Sequence, residues 1–203
     1  LSLGFGDKTV KEVCEMNNVD CQTFLVVVNF MAEGFSRMDG SADDISIPAL
    51  VDYLRQAHIY FLDYCLPAIR RKLIEAIDCS QDDVSFLILK FFDGYMREVR
   101  KHMEYEEKTV FKYVDTLIHG NAPKNYQIST FSKHHDQVGE RLTELKNIII
   151  KYCPAKANTN VLNAALFDIY ACEEGLESHC KVEDYLFVPA ILKLERRMRE
   201  NEK

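Results

Sequence analysis

The chain has 203 residues, enough for one sizeable core, and its 47% hydrophobic and 28% charged residues are those of an ordinary globular protein. Its formal net charge of -7 argues against nucleic-acid binding by the chain itself, because phosphate recognition draws on clustered Lys and Arg. No apolar run approaches the ~20 residues of a membrane-spanning helix and nothing resembles a secretory signal, while seven cysteines without a C-x-x-C pair suit reduced thiols in a cytoplasmic protein.

In chain order, residues 1–45 read as a small helical appendage and linker. Asp7–Asn17 and Asp20–Glu33 each carry the spacing of a short amphipathic helix, with Asp7 and Asp20 as caps. Met38–Asp44 is polar and turn-rich, the composition of a linker. Over residues 46–203 apolar side chains recur at steps of four and three, and the whole chain has only 8 Gly and 5 Pro to interrupt them. That spacing predicts four long helices. The first starts at a capping Ser46, has Pro48 in its opening turn and runs to about Asp78, with a kink expected at Pro67. The second runs from the Gln81–Asp83 cap region to about Ile118 and ends at Gly120. The third starts near Ser129 and stops at Cys153–Pro154; the fourth runs from about Asn160 to the C-terminus, with a bend expected at Pro189. Connections of modest length between such helices predict an all-α fold, an antiparallel up-down-up-down four-helix bundle. The chain begins at Leu1 and stops inside the charged run Glu195–Lys203, so it is expected to be part of a longer protein. An effector domain or a second copy of the chain, as a homodimer, is the expected partner.

The apolar stripe of each long helix carries polar residues that do not belong there. In the first, Ile47, Val51, Leu54, His58, Phe61 and Cys65 share a face; in the second, Phe92, Tyr95, Val99, His102, Glu106, Val110 and Tyr113 do. The third stripe is Phe131, His135, Val138, Leu142, Leu145 and Ile149. The fourth is Leu162, Ala165, Ile169, Cys172, Leu176, His179, Glu183, Leu186 and Ala190. A single core histidine is commonplace. Two carboxylates and four imidazoles spread over four core-facing stripes are not, since a buried carboxylate must be protonated, paired or bound to metal.

Spacing sharpens this pattern. His102 follows His58 by 102 − 58 = 44 residues, and His179 follows His135 by 179 − 135 = 44. Each second histidine is followed by Glu at i+4, as Glu106 and Glu183. Two helix pairs thus carry the same His, His, Glu set. Six ligands exceed one closed tetrahedral zinc site and fit two ions. Two nitrogens would go to each ion, both glutamates could bridge, and a solvent-derived oxo or hydroxo bridge would leave room for a small exogenous molecule. Imidazole and carboxylate ligands with open positions suit iron, then manganese, with zinc least suited. A ferritin-like site would place Glu three residues before each His, where this chain has Arg55, Val99, Ser132 and Leu176.

The pattern His58 … His102-Met-Glu-Tyr-Glu106 … His135-Asp136 … His179-Cys-Lys-Val-Glu183 resembles the hemerythrin-like (HHE cation-binding) family. The segments HMEYEEKTVF (102–111), HHDQVGE (134–140) and HCKVEDYLFVP (179–189) look nearest to its iron–sulfur cluster repair di-iron branch. The resemblance spans roughly residues 46–195. It implies a four-helix bundle with a non-haem di-iron centre that reacts with dioxygen, nitric oxide or peroxide. It also implies His58, His102, Glu106, His135, His179 and Glu183 as ligands. His135 is preferred to His134 because it lies on the stripe and precedes Asp136, as in the family motif.

Two departures from the family pattern bear on activity. Repair proteins of this branch carry a Cys-Cys-Gly-Gly segment at the end of a short N-terminal domain; this chain has Asn29-Phe30-Met31-Ala32-Glu33-Gly34 in that region. Oxygen-carrying hemerythrins use a fifth histidine, and His119 falls instead in the loop before Tyr126. The functional expectation is therefore a sensory module that binds dioxygen or nitric oxide. The alternative is di-iron redox chemistry in cluster repair or in nitric oxide and peroxide handling. Of the remaining residues, Tyr95, Tyr113 and Cys172 read as core packing, and Cys180 points about 100° around the helix from His179.

Overall fold

In the computed structural model, the described residues are 3–33, 45–77, 83–121, 126–133, 138–152 and 157–201, and all their regular structure is helical. The expected Met38–Asp44 linker, His134, His135, Asp136 and the Cys153–Pro154 helix end lie outside the described residues. No helix among the described residues is long and apolar enough to cross a membrane. The chain divides into two compact units, one of Leu1–Arg55, Tyr113–Ser132 and Cys180–Lys203, the other of Gln56–Lys112 and Lys133–His179.

In the first unit, helix α1 (Val10–Met16) starts at a capping box on Thr9 rather than at Asp7. The Thr9 hydroxyl accepts from the Glu12 amide at 3.3 Å, and the Glu12 carboxylate accepts from the Thr9 amide at 2.8 Å. Helix α2 (Cys21–Glu33) begins where Asp20 was expected to cap it: Oδ1 accepts from the Thr23 amide at 2.7 Å. Helix α3 (Ile47–Ile59) follows Ser46, whose amide donates to the Thr23 hydroxyl at 2.9 Å and so ties the start of the long helices to α2.

Past α3 the chain does not simply kink. A π-helical turn over Tyr60–Cys65 leads into α4 (Leu66–Ala76), and the Leu66 amide bonds to the carbonyl five residues back, at Phe61. Pro67 sits in the first turn of α4. A proline has no N–H to give and its ring crowds the carbonyl four residues earlier; the widened turn accommodates both. The same arrangement recurs between α8 (Thr159–Val182) and α9 (Val188–Asn201), where the π turn Glu183–Phe187 precedes Pro189. A third wide turn, Glu106–Val110, joins α5 (Asp83–Tyr105) to α6 (Phe111–Ile118) without a proline. Gly120 ends that segment as expected, at φ +82°, a conformation that favours glycine.

The third helix starts later than expected. Ile128–Lys133 is a 3-10 turn, and regular α-helix α7 covers Val138–Tyr152. Glu195 of α9, nearly fully buried, accepts from the Ile128 amide at 3.0 Å and from the Tyr113 hydroxyl at 2.5 Å, which fixes the chain entering this turn.

The second unit holds the main core, with Phe92, Leu73, Ile69, Leu142, Leu145 and Ile169 entirely shielded. Four helical segments surround it. Arg70 on α4 pairs with Asp93 on α5, Glu98 on α5 with Arg141 on α7, Lys146 on α7 with Glu173 on α8, and Lys72 on α4 with Asp168 on α8. The first and last of these segments run antiparallel: residue 58 meets 179, 61 meets 175, 72 meets 168, and the Asn158 amide donates to the Ala76 carbonyl at 2.8 Å.

Candidate metal centre

The site grows from the interrupted stripes. His58 lies at the end of α3, next to the widened turn; His102 lies in the last turn of α5; Glu106 opens the second widened turn. His179 lies in the last turns of α8, and Glu183 follows it one turn on in the same continuous helix, opening the third widened turn. Wide turns often occur at functional sites, and here all three start at or beside a polar core residue.

Burial is severe. Glu106 and Glu183 are 0% exposed, His58 3% and His179 2%, so these groups have lost their water. In the second unit, His58, Glu106 and His179 each offer a ligand atom within 4.8 Å of the others. His102 joins them through Glu106: its Nε2 lies 2.8 Å from Oε1, while His58 Nε2 lies 2.8 Å from Oε2 of the same carboxylate. One carboxylate therefore stands between two imidazoles from different helices, one on each oxygen. Burial would push the Glu106 carboxyl up, but the His102 and His58 contacts prevail and hold it down at about 2.

His58 is oriented from its other side. Its Nδ1 lies 3.0 Å from Glu107 Oε1, and its ring stacks on Phe111 at 5.6 Å and 12°. The His179 ring meets it edge-on at 5.2 Å. An imidazole that donates from Nδ1 to a carboxylate carries a lone pair at Nε2. That lone pair faces a Glu106 oxygen at 2.8 Å, so two acceptors sit at hydrogen-bond distance. They are compatible only with a proton shared between them or with a metal ion bound by both. The donor set fits a metal: buried imidazole nitrogens and carboxylate oxygens, with an outer carboxylate fixing one ring, as metal-bound histidines commonly have.

The Hemerythrin HHE cation binding domain matches residues 49–191, well over half of the chain. The chain belongs to the hemerythrin HHE cation-binding family. No curated protein matches it as a relative. For this hemerythrin-family chain, the structure brings together His58, His102, Glu106 and His179 of the expected ligands, and places Glu183 buried on the helix of His179. His135 and its neighbour His134 lie outside the described residues. His119 is exposed, 70% at its side chain, and its ring bonds back to the Asp115 carbonyl at 2.7 Å. The reading of the stripes missed Glu107 and Phe111. Glu107 carries a faint signal, an acidic residue next in sequence to a core glutamate, but its place off the stripe gave no reason to point it at His58.

Proposed function

We propose that this protein holds a non-haem di-iron centre in an antiparallel up-down-up-down four-helix bundle, with His58, His102, Glu106, His135, His179 and Glu183 as ligands. We read it as a module that binds or senses dioxygen, nitric oxide or a related oxidant, within a longer regulatory protein. The observation that carries this reading is the Glu106 carboxylate, fully buried and flanked at 2.8 Å by the imidazoles of His58 and His102. A bound iron pair would supply one-electron chemistry and open positions for a small ligand. The chain's own contribution is positioning and exclusion of water. Glu107 and Phe111 fix the His58 ring, and Phe61, itself buried, packs edge-on against His179 at 6.1 Å.

The second reading, redox turnover in iron–sulfur cluster repair or in nitric oxide or peroxide handling, is favoured by the likeness of segments 102–111 and 179–189 to the repair branch. Helix α2 weighs against a thiol-dependent version, because it carries Asn29 and Phe30 where paired cysteines would be needed. Iron analysis of anaerobically purified protein, with optical spectra before and after dioxygen or nitric oxide, tests both. The di-iron reading expects about two irons per chain and a spectral change with either gas. Fewer than one iron per chain under iron-replete conditions would sink it. His135→Ala should lose far more iron than His134→Ala; equal losses would show that the third ligand helix is out of register. Recovery of a damaged iron–sulfur enzyme by the native chain, lost in His102→Ala, would instead support the second reading.

A further inference from the structure

Seven residues after His58 stands Cys65, and seven residues before His179 stands Cys172. In the second unit these two segments run antiparallel with residue 58 against 179, so a step of seven, two helical turns, in opposite senses brings 65 opposite 172. The side chains confirm the register. Both side chains belong to the same core cluster, and neither is in a disulfide. The backbones approach closely along this seam. One turn from the pair, Gly175 faces Phe61, and a Cβ there would come within 3.2 Å of the ring.

The two sulfurs differ. Cys65 is at the edge of the core, 9% exposed, and also shares a hydrogen bond with the Tyr60 phenol, whose residue is 52% exposed. Cys172 is the inner partner at 2%. Hydrogen bonds from Cys172 and Tyr60 outweigh burial and ease proton loss at Cys65, while the bond to Cys65 and burial keep the proton on Cys172. An outer thiol at the edge of the core beside a more deeply buried inner one is the arrangement of an attacking and a resolving cysteine. Reading Cys172 as packing alone overlooked its partner, because the two are more than a hundred residues apart in sequence.

We propose that Cys65 and Cys172 form a redox-active dithiol that peroxide converts into a disulfide joining the first and fourth helical segments. The Cys65 thiolate attacks one peroxide oxygen; an S–O bond forms, the O–O bond breaks, and the departing hydroxide takes up a proton as water. The Cys172 sulfur then attacks the sulfenic sulfur. The S–S bond forms, the S–O bond breaks, and the Cys172 proton leaves with the hydroxide as a second water. In sum, two thiols and one hydrogen peroxide give one disulfide and two waters. No metal takes part, so the proposal stands apart from the di-iron reading.

The test is to expose the fully reduced full-length chain to hydrogen peroxide, cap the remaining thiols with an alkylating agent and map the tryptic peptides. The expected product is one linked pair, 56–70 with 157–181, lighter by two hydrogens than the separate peptides and separable again by a reductant. Cys172 and Cys180 share the second peptide, so Cys180→Ser must keep the link, whereas Cys65→Ser and Cys172→Ser must lose it. The native chain alone decides the matter even if a variant folds poorly. Recovery of both cysteines capped, or of Cys65 linked to any other cysteine, would overturn the proposal. The same link is expected as purified and after chelation of metal, so a protein that binds no iron would still show it.

Discussion

If Glu107 holds the His58 ring, removing its carboxylate should weaken metal binding without disturbing the fold. The bond in question is the 3.0 Å contact from Nδ1 of a buried imidazole to an oxygen of a side chain that is 37% exposed. Losing an outer-shell partner of a metal-bound histidine typically costs roughly 10- to 100-fold in affinity, about 1.4–2.7 kcal/mol. Exposure places Glu107→Ala at the lower end, because water can reach the vacated position and accept from Nδ1. About tenfold weaker iron(II) binding is therefore expected for Glu107→Ala. In Glu107→Gln the amide oxygen still accepts the same bond, and the loss should stay within about threefold. Anaerobic iron(II) titration against a competing chelator measures both, and Glu104→Ala serves as control, since that side chain pairs with Lys108 on the exposed face. Thermal melts of the metal-free variants should lie close to the native one, as the contact is partly solvated. Native affinity in Glu107→Ala, or an equal loss in the Gln variant, would refute the idea that this residue acts by orienting the ring.

His102→Ala should lose iron, whereas His119→Ala should keep it, because His119 is exposed and bonded to its own helix end; iron content per chain checks this. Phe92→Ala empties a fully shielded position of the second unit's core and should cost about 3–5 kcal/mol in urea unfolding. Arg70 holds the Asp93 carboxyl below its ordinary value through contacts at 2.6 and 3.1 Å. A carboxylate depressed in the folded state stabilises above its unfolded pKa and loses that stabilisation as pH falls through the folded one. Asp93→Asn should therefore be less stable than the native chain near neutrality by a few tenths of a kcal/mol, with the difference shrinking below about pH 4. Urea midpoints measured against pH would expose the opposite trend.

Helical content and the polar residues within the apolar stripes were legible because burial imposes a period, and a polar residue in that period is conspicuous. His58, His102, Glu106 and His179 stood out for that reason alone. Ends governed by local chemistry were also legible, as at Asp20, Ser46 and Gly120. What escaped depends on distant partners. Glu195 receives the Ile128 amide from sixty-seven residues away, and the Cys65–Cys172 pairing depends on helix register. The wide turns were half legible. Pro67 and Pro189 announced an irregularity but not its form, and Glu106–Val110 has no proline to announce anything.

Those wide turns also set the phase of each helix. Each holds one residue more than an α turn would, so everything beyond it is rotated by about 100° relative to an unbroken helix. Deleting a single residue from Tyr60–Cys65 would therefore do more than shorten a turn. It would swing Leu66, Ile69, Leu73 and Ala76, all buried, away from the core they now fill. The extra residue works as a vernier, letting one helix present its buried polar residue at one angle and its packing face at another.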